Sequence, residues 1–287
     1  MSYYRVLGLE REPFSTSPDP AFFYQSETHR AVLANLLIEF RLKRGLSVVL
    51  GDIGTGKTTL GRKLIQMLKE REGFLFHMVL DPTYPSENVF FNSLVRTFGI
   101  EMTMPSPDVV DCREALERFL FQKGIREQQT SILIVDEAHK LNALSLETLR
   151  ILLNYETNET KLLQLVLLGQ MELLPLLTGM PNLMDRISYR CTLKPFDLAQ
   201  TRRMIQFRLQ EAGYRSRLKL FTDEAIETIC DSAEGYPRRI AMMCHKALRL
   251  LVMRQGHVVD EALIEEVVEE ECEGGWPLPK RLLKSSC

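Results

Sequence analysis

Eight consecutive residues match the phosphate-binding pattern GxxxxGK[ST] in full: Gly51-Asp52-Ile53-Gly54-Thr55-Gly56-Lys57-Thr58. They lie between an apolar run and a helical pattern, which is where such a loop is needed. Glycines let backbone N–H groups turn onto phosphate oxygens, and the following helix N-terminus adds partial positive charge. We therefore predict ATP binding by this loop and Thr59, with Lys57 on the β- and γ-phosphates and the Thr58 hydroxyl on Mg²⁺.

Two acidic residues follow the apolar run 132–135, and they are Asp136 and Glu137. Such a pair alone is weak evidence, because acids after a strand often cap a helix. Together with the phosphate-binding loop the pair predicts hydrolysis. Asp136 would hold the Mg²⁺ shell, and Glu137 would orient and deprotonate the attacking water. An alternative is a scaffold that binds ATP without hydrolysing it. The presence of the four residues that hydrolysis needs, Lys57, Thr58, Asp136 and Glu137, makes that alternative weaker.

Five further residues are candidates for the ATP site. Gln170 ends the next apolar run and would sense the γ-phosphate, unless it is an ordinary polar strand end. Arg186 or Arg190 would act as an arginine finger on a neighbouring subunit's ATP, and either is also typical of a surface ion pair. Pro237 suits a first helical turn, and Arg238 would then reach the phosphates from a second domain.

The elements that position these residues follow from the apolar pattern. Short buried strands alternate with helices, which predicts an α/β P-loop sandwich with a mostly parallel sheet. The predicted strands are 46–50, 74–80, 131–135, 163–168 and 189–193. After Pro195 only helical patterns occur, over 201–212, 222–234, 237–255 and 260–271. We predict an extended aromatic arm (1–26), an ATPase core (27–195), a small all-helical lid (196–272) and a loose basic tail (273–287).

Composition and length narrow the class of protein. The chain has 287 residues, 45% of them hydrophobic and 26% charged, so it can bury a sizeable core without staples. The six cysteines form no CxxC pair, which favours free thiols over a zinc or dithiol site. Neither a signal peptide nor an apolar run of about 20 residues is present, so we expect a cytoplasmic protein with no direct membrane span.

The motifs, taken in order, resemble the AAA+ ATPases of the ExeA (GspA) type, which serve secretion and pilus systems. The arm is similar to that group's opening, and so is a stretch after the acidic strand. The residues concerned are Phe14, Ser17–Pro20, Phe22–Ser26, His29, Leu149–Thr157 and Lys161–Gln164. The resemblance covers residues 3 to about 268. It implies an AAA+ fold, Mg²⁺-dependent ATP hydrolysis, an ATP-driven ring or helical filament of identical subunits, and a protein partner in a secretion or pilus machine.

Two departures limit what the resemblance implies. His139-Lys140 stands where such ATPases usually have Gln-Asn. Those ATPases also carry a membrane segment and a wall-binding region after the ATPase, and we expect no wall binding here.

The same module also resembles transposition regulators of the TniB and TnsC kind. The alternative function is therefore an ATPase that polymerises on duplex DNA and recruits a transposase. The sequence contains several clusters of cationic residues. They would contact the DNA phosphates if they lined one face of a ring or helical filament. On helices, such residues more often form a solvated face. They are Arg41, Lys43 and Arg44; Arg202, Arg203 and Arg208; Arg215, Arg217 and Lys219; Arg238, Arg239, Lys246, Arg249 and Arg254; and Lys280, Arg281 and Lys284.

Overall fold

A computed structural model describes residues 2–69, 71–102, 107–157, 160–216 and 218–273. The predicted tail beyond residue 273 lies outside the described residues, and so does Arg217. The chain divides into two compact units. The sheet unit comprises Glu27–Ile53 and Lys57–Leu193, and the helical unit comprises the described residues of Met1–Ser26, Gly54–Gly56 and Lys194–Cys287.

The sheet unit is built on five strands, all parallel, in the order β2-β3-β4-β1-β5. The strands are β1 (Leu46–Gly51), β2 (Phe74–Val79), β3 (Thr130–Val135), β4 (Leu163–Gly169) and β5 (Ile187–Leu193). Every residue of β1, β3 and β4 is buried, as expected for central strands of a parallel sheet. Along the edge strand β5, partly buried residues alternate with exposed ones, and only the last residue is buried. The predicted fold class is confirmed.

Helices pack against this sheet. They are α2 (Glu27–Leu42), α3 (Lys57–Leu68), α4 (Glu87–Thr97), α5 (Val109–Phe121), α6 (Ala143–Leu152), α7 (Leu173–Thr178) and α8 (Pro181–Met184). The first helix of the chain, α1 (Tyr3–Val6), belongs to the helical unit. α5 ends at Phe121, and Gln122–Arg126 continues it as a π-helical turn. Gly124 lies so close to Leu162 that an added Cβ would be 2.8 Å from its Cδ2 atom.

Short polar side chains cap several helices. Ser86, Asn142 and Thr222 each accept a hydrogen bond from the backbone N–H three residues later. Asp108 and Asp197 form complete capping boxes, in which the third residue returns a bond to the cap. These starts are determined by local sequence.

The helical unit contains α9 (Leu198–Glu211), α10 (Asp223–Ser232), α11 (Pro237–Met253) and α12 (Glu261–Glu273). Its core includes three apolar residues of the arm, Leu9, Phe14 and Phe22. Gly235 has a φ of +71°, and an added Cβ would lie 2.1 Å from the carbonyl oxygen of Phe196. Only glycine fits here, because the position combines a left-handed backbone with direct backbone contact.

The arm is not simply extended, and that expectation was wrong. It contains α1 and a 3₁₀ turn at Pro20–Phe22, and its backbone is held by Arg208 of α9. The guanidinium donates to the carbonyl oxygens of Phe22 at 3.1 Å, Ser15 at 3.2 Å and Pro13 at 3.4 Å. Burial lowers the pKa of Arg208 to about 10. This arginine is therefore a structural cation, and not one of the DNA-facing charges that its cluster suggested.

We expect Arg208→Met to weaken the helical unit and release the arm. Methionine keeps most of the aliphatic stem but leaves the three carbonyl oxygens without this donor. The free energy of unfolding should fall by about 2–3 kcal/mol, measured by thermal denaturation, and limited proteolysis should cut within the arm sooner. Arg203→Met, an exposed neighbour on α9, is the control. Equal stability of the two variants would contradict the assigned role.

Candidate nucleotide site

The phosphate-binding loop, residues 51–58, leaves the carboxyl end of β1 and enters α3 at Lys57. Gly54 and Gly56 have φ values of +87° and +99°, a left-handed backbone that favours glycine. Thr55 between them is fully buried, and Thr59 lies in the first turn of α3. The loop thus has the strand–loop–helix context in which backbone N–H groups can surround an anion.

Lys57 is only 5% exposed. Its ammonium group donates to the carbonyl oxygens of Gly51 at 2.6 Å and Asp52 at 2.9 Å. Burial lowers the pKa of Lys57, while the nearby carboxylates of Glu137 and Asp136 oppose that shift. An ammonium group has three hydrogens, so one donor remains for a phosphate oxygen.

Asp136 and Thr58 meet across the site. The Thr58 hydroxyl donates to Oδ2 of Asp136 at 2.6 Å, and the backbone N–H of Glu137 donates to Oδ1 at 3.0 Å. Asp136 is 2% exposed, and burial raises its pKa despite these two hydrogen bonds. A hydroxyl and a carboxylate are the hard oxygen ligands that Mg²⁺ prefers, so the pair fits that ion. The cation would also favour the charged carboxylate that burial opposes.

The strand order brings the predicted γ-phosphate sensor to the same edge of the sheet. β4 lies between β1 and β3, and Gln170 follows its last residue. Glu137 precedes the 3₁₀ turn Ala138–Lys140, which follows β3, and its backbone is left-handed, with φ 50° and ψ 35°. Gly169 allows the close approach, since an added Cβ would lie 2.8 Å from Leu173 and 3.4 Å from the backbone nitrogen of His139.

His139 is the site residue to which the sequence assigned no role. Its Nε2 atom lies 3.5 Å from Oε2 of Glu137 and 2.9 Å from the side-chain nitrogen of Gln170. Its Nδ1 atom lies 3.5 Å from the backbone nitrogen of Gln170. The sequence signal was weak, because His139 is near the acids in the chain but 31 residues from Gln170.

The two candidate finger arginines occupy different places on β5. In the parallel register with β1, Ile187 pairs with Leu46 and Leu193 pairs with Gly51. Arg186, just before β5, therefore lies at the sheet edge opposite the phosphate-binding loop. Five residue steps along β1 separate the two edges by roughly 17 Å.

Arg190 lies in mid-strand, where it pairs with Val48 and is exposed. Arg186 instead lines a cavity of about 540 Å³ together with three other cations, which are Arg44, Arg150 and Lys161. Arg150 and Lys161 are already paired with Glu147 and Glu156. The cavity and the phosphate-binding loop are thus at opposite ends of β1.

In the helical unit, Pro237 is the first residue of α11, where its missing N–H is not needed. The next N–H, of Arg238, donates to the carbonyl oxygen of Gly54 at 3.2 Å. An added Cβ on Gly54 would lie 3.0 Å from Cβ of Arg238. The backbone at the start of α11 is therefore tied to a glycine of the phosphate-binding loop, while the Arg238 side chain is exposed.

Residues 41–177 match the family model of the AAA domain, a span that includes the phosphate-binding loop, both acids and Gln170. Over this span the chain is similar to AAA domains. It is 32% identical to General secretion pathway protein A of Aeromonas hydrophila over 96% of its own length. The chain spans about half the length of that relative, 50%.

Solved structures share the fold. The ORC2 protein of Aeropyrum pernix in its ADPNP–ADP complexes superposes with a TM-score of 0.68 at 17% identity, covering 91% of this chain and 72% of that one. The RuvB branch migration motor of Thermotoga maritima gives 0.58 at 16% identity, with 85% and 69% covered. Among the described residues, no helix combines the length and apolarity needed to cross a bilayer.

Asp136→Asn should stabilise the protein without nucleotide. Because burial raises the folded pKa of Asp136, its charge lowers the free energy of unfolding at neutral pH. The penalty fades as pH falls through the folded pKa towards the unfolded value of about 3.9. We expect Tm to rise by about 2–4 °C at pH 7.5, with a smaller rise near about pH 4.

The control for this comparison is Asp185→Asn, which changes an exposed carboxylate of the same unit. It should leave Tm nearly unchanged. Adding Mg²⁺ and ATP should raise Tm of the wild type and of the control, and it should raise that of Asp136→Asn much less. An Asp136→Asn variant that is less stable than wild type at every pH would contradict this account.

Proposed function

We propose that the protein hydrolyses ATP with Mg²⁺ at the site of residues 51–59, Asp136, Glu137 and Gln170. The observation that carries the proposal is the 2.6 Å contact between Thr58 and Asp136 beside buried Lys57. It brings a hydroxyl, a carboxylate and an ammonium group to one edge of the sheet. Phosphoryl transfer needs this combination, since its catalysis is largely positioning and charge stabilisation.

Each side chain has a distinct role in the proposed reaction. Thr58 and Asp136 would hold Mg²⁺, which neutralises phosphate charge when bound. Lys57 would donate to the β- and γ-phosphate oxygens. Glu137 would take a proton from water as the water oxygen bonds to the γ-phosphorus and the bond to the leaving ADP oxygen breaks. Gln170 would donate its amide N–H to a γ-phosphate oxygen.

Glu137→Gln should bind ATP with nearly wild-type affinity and reduce kcat at least 100-fold, because only the proton-accepting carboxylate is lost. Lys57→Ala should lose binding as well. Glu172→Gln, an exposed carboxylate near Lys57, is the matched control and should keep kcat. Phosphate release and the binding of a fluorescent ATP analogue measure the two properties. Unchanged turnover of Glu137→Gln would assign the water to another residue.

We propose further that ATP assembles the subunits into a ring or helical filament and that Arg186 completes the neighbouring subunit's site. The support is topological. Arg186 lies at the sheet edge opposite its own loop, roughly 17 Å along the strands, which exceeds the reach of an arginine side chain. A head-to-tail contact between identical subunits would place one edge against the other. Arg238, held next to Gly54, is assigned to the phosphates of its own chain.

Mixing two inactive variants tests the shared site. Arg186→Ala should lose at least 10³-fold of the turnover, and Glu137→Gln should lose at least 100-fold, as above. A 1:1 mixture should recover about a quarter of wild-type activity, since a competent site needs Glu137 in one subunit and Arg186 in the next. Arg190→Ala is the control and should stay active. No recovery in assembled mixtures, or full activity of a dilute monomer, would contradict sharing.

The relative from Aeromonas hydrophila supports a proposal about the partner. We propose that ATP-driven assembly serves a protein machine of the general secretion kind from the cytoplasmic side, where ATP is available. The duplex DNA alternative draws less support from the helical unit. Arg202 pairs with Asp223 at 3.5 Å, Arg239 pairs with Glu234 at 2.6 Å, and Arg208 binds the arm. Cations already paired within the protein release fewer counterions from DNA.

A further inference from the structure

We propose that His139 is a positioning residue that holds Glu137 and Gln170 in their hydrolytic arrangement through its Nε2–H group. This inference rests on the roles proposed above for those two residues. It concerns a side chain that the hydrolytic scheme does not use. His139 joins the turn after β3 to the end of β4, the two strands whose tips carry the proposed base and the proposed sensor.

The contacts determine where the imidazole hydrogen lies. The backbone N–H of Gln170 faces Nδ1 at 3.5 Å, and a backbone N–H can only donate. Nδ1 is therefore the acceptor, and in a neutral imidazole the hydrogen is then on Nε2. Nε2 faces Oε2 of Glu137 at 3.5 Å, and a carboxylate oxygen can only accept. Both contacts agree on one tautomer.

This tautomer also orients the Gln170 amide. The side-chain nitrogen of Gln170 lies 2.9 Å from Nε2, which would oppose two donors. A 180° rotation of the amide, which leaves its shape unchanged, puts Oε1 there instead. Oε1 of Gln170 then shares the single Nε2–H hydrogen with Oε2 of Glu137, as the nearer of two acceptors. The NH₂ group is turned away from His139. Only the NH₂ end can donate to a phosphate oxygen, so His139 selects the useful orientation of the sensor.

The surroundings make this arrangement well defined. The His139 side chain is 15% exposed. Its turn is fixed from two sides, because Lys140 pairs with Asp81 at 3.2 Å and buried Ala138 precedes it. Contacts of 3.5 Å are longer than strong hydrogen bonds, and hydrogen bonds of this kind tighten in the substrate complex. His139 would thereby couple the position of the base to that of the sensor.

Two amide substitutions separate the ring nitrogens. Glutamine places its amide nitrogen near the position of Nε2, and asparagine places its polar atoms near Nδ1. We expect His139→Gln to keep kcat within about fivefold of wild type and His139→Asn and His139→Leu to lose about 10–100-fold. The Kd for ATP should change less than about threefold in all three, because the phosphate-binding loop is untouched.

A double-mutant cycle tests the coupling. His139→Leu with Gln170→Leu should be no slower than the slower single variant, because both break one arrangement. His77→Leu is the control for loss of a partly buried histidine. His77 stacks on Phe98 with ring centroids 4.0 Å apart in the same unit, so its loss should lower Tm and leave kcat within about twofold.

Each alternative outcome overturns the inference. It fails if His139→Asn is as active as His139→Gln, if the two losses in the cycle multiply, if ATP affinity falls along with kcat, or if His77→Leu loses as much kcat as His139→Leu. Glu137→Gln, measured alongside, separates this failure from that of the proposed function. If Glu137→Gln still hydrolyses ATP, the role of Glu137 is wrong. If His139→Leu remains active while Glu137→Gln is inactive, the positioning role of His139 is wrong and the proposed function is unaffected.

Discussion

The hydrogen bond from Thr58 to Asp136 is the contact around which the sheet unit is arranged. It joins the first turn of α3, the helix that follows β1, to the residue after β3. β1 and β3 are not neighbours in the sheet. β4 lies between β1 and β3, so its end must pass through the site, and Gly169 and Gln170 occupy that position. The strand order that brings Thr58 to Asp136 therefore also places Gln170 in the site.

The burial of two charged side chains in the nucleotide site lowers the stability of the folded protein and also favours binding of a charged ligand. Lys57 and Asp136 are almost inaccessible to solvent. Burial lowers the pKa of Lys57 and raises the pKa of Asp136, and both shifts favour the neutral form of the side chain. Removing water from charges lowers stability, but it also strengthens every electrostatic interaction that a nucleotide makes there. A phosphate would interact favourably with the Lys57 ammonium group, and a divalent cation with the Asp136 carboxylate. Binding of such a ligand would therefore offset the cost of burying the two charges.

The direction of the strands separates the phosphate-binding loop from Arg186. All five carboxyl ends point to the edge with the phosphate-binding loop, and all amino ends point to the edge with Arg186. In the helical unit, cations that are similar in sequence have different tasks. Arg208 holds the arm from inside, Arg239 pairs with Glu234, and Arg238 presents its backbone to Gly54.

The sequence by itself determined the phosphate-binding loop, the acidic pair, the parallel sheet and most helix starts. Each of these depends on residues that are close in the chain: a glycine pattern, an apolar run, a capping side chain. Tertiary structure decided the contact of His139 with Gln170, the clamp of Arg208 on the arm and the edge on which Arg186 lies. These depend on strand order and on packing between distant segments, and local periodicity carries no information about which strands become neighbours.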